Sequence, residues 1–120
     1  VEITTGIRKE SLRLLDSIQY CYVECCSYFA DIIYYKSLGK DKEVRTSALR
    51  AQAALFNLVL QSCQLLKAKR NEALKIRDFL WKKQGRLSLK ELWEKFNEYC
   101  SILHTGGLID MFYRARIQEI

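Results

Sequence analysis

Residues 48–68 read ALRAQAALFNLVLQSCQLLKA. This stretch has no proline or glycine, and its only charges are Arg50 and Lys67. Alanine and leucine, both good helix formers, dominate it. At about 100° per residue, Ala48, Leu55, Phe56, Val59, Cys63 and Leu66 fall on one side of a helix, and Ala51, Leu58 and Leu65 on another. Only a narrow arc of Arg50, Asn57, Gln61 and Gln64 is polar. A helix apolar over most of its circumference is an inner helix, so this stretch is expected to be the spine of the fold.

The flanking sequence repeats the helical period. Ile7, Leu14, Ile18, Tyr22, Cys25, Phe29 and Ile32 share one sector of a first helix that runs to about Leu38. Thr4 or Thr5 is its expected cap and Gly39 its stop. A second, weaker strip holds Leu12, Val23, Cys26, Ala30 and Tyr34. Asp41 is placed to cap the next helix, whose pattern continues to about Lys83 with a suspected break between Lys67 and Glu72, where charge sets in. Ser88 and Glu91 have capping-box spacing. They open a helix with Leu89, Leu92, Phe96, Tyr99 and Leu103 inward and Trp93 and Cys100 at the edge. After Thr105-Gly106-Gly107 a short last helix, about 108–118, carries Ile109, Phe112 and Ile117. With no period-two stretch, the expected class is all-α: one domain, an antiparallel bundle of about four to five helices with short glycine-containing loops.

At 120 residues the chain can bury a substantial core. Val1 rather than methionine opens it, so it reads as a domain excised from a longer protein. No signal peptide and no transmembrane run are found. The five cysteines, Cys21, Cys25, Cys26, Cys63 and Cys100, sit within helical patterns and form no Cys-x-x-Cys pair. They read as reduced core thiols of an intracellular protein, cytoplasmic or nuclear, with no metal and no cofactor. His104 is the single histidine. It stands at a helix end with no nucleophile or paired carboxylate in spacing for catalysis, so neither an enzyme nor a small-molecule substrate is expected.

Charge is concentrated locally. The net charge is +6, and residues 67–90 hold nine basic and two acidic side chains. Within them Lys67, Arg70, Lys75, Arg77, Lys82, Lys83 and Arg86, with Trp81 among them, form a candidate anion-binding stretch. Such a face can track phosphates and stack a base. The first helix is crowded with tyrosines, and Tyr20, Tyr34 and Tyr35, with Val23, lie off its core face. Exposed tyrosines beside aliphatic residues are characteristic of interfaces. The leading expectation is a non-enzymatic protein–protein interaction or assembly domain whose partner is another protein or a second copy. The alternative is a sequence-independent nucleic-acid-binding accessory protein that uses residues 67–90.

Overall fold

The structure, a computed structural model, describes the backbone of residues 2–109 and the side chains of residues 13–109. Among the described residues it holds four α-helices: α1 (Glu2–Ser37), α2 (Asp41–Ser62), α3 (Arg70–Lys82) and α4 (Leu89–Thr105). Two 3-10 turns, Cys63–Leu65 and Lys67–Lys69, join α2 to α3. No strand occurs among the described residues, so the fold is an all-α helical bundle. The expectations for Ile7, Leu12, Phe112, Ile117 and most of a last helix lie outside the described side chains or residues.

α1 and α2 form a tight antiparallel hairpin. Gly39 ends α1 with φ +70°, a left-handed conformation that glycine adopts without a Cβ penalty. Its N–H donates to the Lys36 carbonyl (3.1 Å), and the Lys40 N–H donates to the Tyr35 carbonyl (3.0 Å). This double bond pattern closes a helix C-terminus. Two details differ from expectation. α1 begins at Glu2, so Thr4 and Thr5 lie inside its first turn rather than capping it. Asp41 is the first residue of α2 and makes no cap bond; with Glu43 it acts through the helix dipole instead.

The spine is buried as its composition requires. Leu55, Leu58 and Val59 are fully buried, and α2 packs against α1, α3 and α4. Two residues of its polar arc, Asn57 and Gln61, lie along the α1 seam. Ser17 Oγ donates to Gln61 Oε1 (2.6 Å), Gln61 Nε2 to Asn57 Oδ1 (3.1 Å), and Asn57 Nδ2 to Cys21 Sγ (3.4 Å). Against the reading of an inner helix, Leu49 and Leu60 are exposed and Gln52 is buried.

The break falls earlier than the onset of charge suggests, because α2 ends at Ser62. Ser62 Oγ donates back to the Leu58 carbonyl (2.6 Å), a competition that weakens a helix locally. The same hydroxyl meets the hydroxyl of the fully buried Tyr99 on α4. Leu66 is then buried between the two 3-10 turns, and Lys67 takes φ +46°. A Cβ on Gly106, at the end of α4, would lie 2.7 Å from Leu66 Cδ2 and 2.9 Å from the Ile102 carbonyl oxygen. The missing side chain at Gly106 is therefore what lets Leu66 seat.

α4 starts with the expected capping box. The Glu91 N–H donates to Ser88 Oγ (3.1 Å) and the Ser88 N–H to Glu91 Oε1 (3.4 Å). Phe29 of α1 meets Phe96 and Trp93 of α4, at ring centroid distances of 4.5 and 5.4 Å. Leu92, Phe96, Tyr99 and Leu103 are buried as expected, whereas Leu89 is only half-buried.

Gly106→Ala is expected to destabilise the fold by about 1–3 kcal/mol despite alanine's better helix propensity, because overpacking opposes it. Leu55→Ala should cost about 2–5 kcal/mol. Urea unfolding followed by circular dichroism measures both.

Candidate interaction surface

Because α1 turns its Ile18–Cys25–Phe29–Ile32 stripe inward, its opposite face is fixed by the helical period. Tyr20, Val23, Ser27, Ala30 and Tyr34 lie on that face, at heptad-like spacings of three and four. All are exposed; Tyr20 is 66% exposed, Val23 56% and Tyr34 60%. No charged side chain interrupts these five positions. Small residues occupy the middle, Ser27 and Ala30, and a tyrosine stands at each end. Tyr34 rests edge-on against Tyr35, at 5.4 Å between centroids.

The strip has two different shoulders. Glu24 and Asp31 border it on the side nearer α2, and the Glu24 carboxylate beside the Tyr20 hydroxyl holds the Tyr20 pKa above its ordinary value. On the side nearer α4 stand Cys26 and Ile33, both exposed. Beyond them, Ile33, Phe29, Ile32, Leu89 and Trp93 line a groove of about 340 Å³ with Lys36 and Lys90 at its rim. Of the four residues expected at a partner surface, Tyr20, Val23 and Tyr34 lie together on the outward face. Tyr35 leans toward the core and is half-buried. Ile33 and Trp93, absent from that expectation, extend the apolar surface. Trp93 was legible only as an edge residue of α4, and nothing local tied Ile33 to it.

The basic stretch is divided among several directions. Ala73, Ile76 and Leu80 are its buried face. Lys75 and Lys82 point outward, with Asp78 between them at helical spacing. Arg77 contacts Asp78 (3.2 Å), Lys69 pairs with Glu72 (3.4 Å), and Lys83 pairs with Glu91 on α4 (2.8 Å). Lys67 and Arg70 are exposed near the break. Lys82, Lys83 and Arg86 surround a cavity of about 340 Å³. Trp81 is 62% exposed and stacks on Phe56 of α2 (5.8 Å, 27°). Lys83 and Lys95 both lie over the Phe79 ring, at 5.4 and 4.5 Å.

Among the described residues, groups with catalytic potential are not gathered. His104 is exposed at the end of α4, and Asp110 lies outside the described residues. All five cysteines are free thiols. Burial raises Cys21 and Cys25 above the ordinary thiol range and pushes Cys100 up to about 11, so these thiols are held protonated at neutral pH. Burial likewise pushes Tyr22 up to about 12. Among the described residues no three His, Cys, Asp or Glu side chains cluster as metal ligands, and no helix is long and apolar enough to cross a membrane. A cleft of about 500 Å³ between α3 and α4 is lined by alternating Glu72, Lys75, Lys95 and Glu98, with Phe79 and Ile76 as its floor.

No protein-family model matches the chain, and neither a curated protein nor a solved structure is similar to it.

Two measurements follow from this geometry. Under native conditions a chromogenic disulfide reagent should find Cys26 as the one fast thiol, and five thiols after unfolding. The Glu91 carboxyl is held below the ordinary glutamate range by the hydrogen bond from Lys83 and the backbone N–H of Ser88. A depressed carboxylate contributes stability that is present above its unfolded pKa and is lost as pH falls through the folded one. Carboxyl NMR should therefore show Glu91 titrating below the ordinary glutamate range, and Lys83→Ala should move it back up.

Proposed function

We propose that this is a non-enzymatic assembly domain that associates with copies of itself through the outward face of α1. The observation that supports this reading is the uncharged strip Tyr20–Val23–Ser27–Ala30–Tyr34, exposed along more than three turns of helix. Continuous apolar surface of this kind on a soluble domain marks an interaction site. Tyrosine supplies large contact area with little side-chain entropy to lose, and small central residues allow a partner to approach closely. The adjoining groove between Ile33 and Trp93 offers a further aromatic anchor. The basic stretch contributes less to this reading, because three of its cations are matched by carboxylates.

Sedimentation equilibrium from micromolar to a few hundred micromolar should show concentration-dependent association at 150 mM salt. Val23→Glu should weaken it at least tenfold without loss of helicity. A chain that stays monomeric across this range overturns the proposal. At the same salt, where charges are screened beyond about 8 Å, anisotropy titrations should find no measurable affinity for generic RNA or DNA. Tight binding that vanishes in a Lys75→Gln/Lys82→Gln variant would instead favour nucleic acid as the partner.

A further inference from the structure

The outward strip of α1 needs a complementary surface, and a second strip is the obvious candidate. Two such strips packed antiparallel about a twofold axis would set Glu24 and Asp31 of one copy beside the same shoulder of the other. Like charges so placed oppose pairing. A better match lies elsewhere on the molecule. On the side of α2 turned away from α1, Leu49, Ala53, Phe56 and Leu60 follow one another at spacings of four, three and four, on the stripe that starts at Arg45. Leu49, Ala53 and Leu60 are exposed. Trp81 of α3 stacks on Phe56 and walls one side.

Two cavities of about 280 and 270 Å³ meet along this stripe, sharing Leu49, Gln52 and Gly85. No carboxylate lines either of them. Arg45 and Arg86 stand at one end. Arg86 also borders the cavity ringed by Lys82 and Lys83, so cationic surface continues past the end of the groove. Neither arginine has an ion pair among the described residues.

Length and sign both agree. From Arg45 to Leu60 the stripe runs about 22 Å, and from Tyr20 to Tyr34 the α1 strip runs about 21 Å, at 1.5 Å per residue. The strip is apolar with acidic Glu24 and Asp31 beside it; the groove is apolar with arginines beside it. Ala53, with only a methyl group, leaves a gap between Leu49 and Phe56 that a side chain of the strip can enter. We infer that the Trp81 groove between α2 and α3 receives the outward face of α1 from a second copy of the chain. This rests on the self-association proposed above and specifies its second surface. The two surfaces lie on opposite sides of the α1–α2 hairpin, so the contact is head-to-tail and builds a ring or a filament rather than a closed twofold dimer.

Complementation tests it on the full chain. Val23→Glu disables the strip and Ala53→Glu disables the groove; both sites are exposed and helical, and circular dichroism checks the fold of each variant. The wild type should form species larger than dimers as concentration rises. Each variant alone should associate at least tenfold more weakly. Their equimolar mixture should form a 1:1 dimer and stop there, because one intact strip and one intact groove remain. Wild-type-like association by Ala53→Glu, or a mixture that stays monomeric, overturns the groove assignment while leaving α1 as the assembly face. A wild type that never associates overturns both. A second readout leaves every side chain of the strip and the groove in place. With 5-fluorotryptophan incorporated at both tryptophans, the Trp81 fluorine resonance, assigned by its loss in Trp81→Phe, should shift over the concentration range in which sedimentation detects association. Association with no change in the Trp81 resonance likewise overturns the assignment.

Discussion

The seat of Leu66 against Gly106 is the contact on which the arrangement of helices depends. The chain from Asp41 to Lys83 has no proline and no glycine, and helix propensity alone would carry it through as one rod of about 60 Å. A rod of that length could not return α3 to α2. The chain instead turns at Cys63–Lys69, where Leu66 buries its side chain in the space that Gly106 leaves open. Ser62 loosens the last turn of α2 and places its hydroxyl on Tyr99. Both anchors come from α4, so the turn and the docking of α4 support each other. The cost is local: Lys67 sits at φ +46°, which disfavours any residue with a Cβ by about 1–2 kcal/mol.

With the turn in place, the locations of the exposed apolar surfaces follow. Folding α3 back covers Leu80 and Ile76 but leaves Trp81 at the edge, propped on Phe56. α4 covers one shoulder of α1 through Phe96 and Trp93 and leaves the outer face bare. α1 alone is about 54 Å long at 1.5 Å per residue, close to the 56 Å long dimension of the molecule. Its neighbour α2 has 22 residues against 36, so one layer of helices cannot wrap it.

The helices and their inward faces were legible in the sequence because a period of 3.6 records burial directly. Ile18, Cys25, Phe29, Leu55, Val59, Leu92 and Tyr99 are all buried as the pattern requires. The capping box was legible because its two bonds are local. The break spans Cys63–Lys69 and meets the expected window only at 67–69; its start was read late because charge density marks where a helix becomes solvated, not where it ends. Its cause, a leucine seated on a glycine forty residues later, is a tertiary contact with no local trace. The candidate surface was legible in part: Tyr20, Val23 and Tyr34 follow from the helical wheel. Leu14 was misread as core and Tyr35 as fully outward, because both lie near a boundary that the angle of the neighbouring helix decides. Ile33, Trp93 and the groove beneath Trp81 each need two helices brought together, and periodicity along one helix carries no information about that.

Charge is also arranged by the fold rather than by the chain. Read linearly, residues 67–90 are a single basic run. Wound into α3 and a loop, the run sends Lys83 to Glu91, Lys69 to Glu72 and Arg77 to Asp78, and leaves Lys82 and Arg86 together. Exposed pairs of this kind contribute at most about 1 kcal/mol each to stability. Their larger effect is on the field: they reduce the long-range attraction of α3 for a polyanion while leaving a short cationic end on an apolar groove. A phosphate backbone rewards many evenly spaced cations. An amphipathic helix with a few carboxylates rewards a small number of arginines beside apolar surface. The second geometry is the one that α2 and α3 build together.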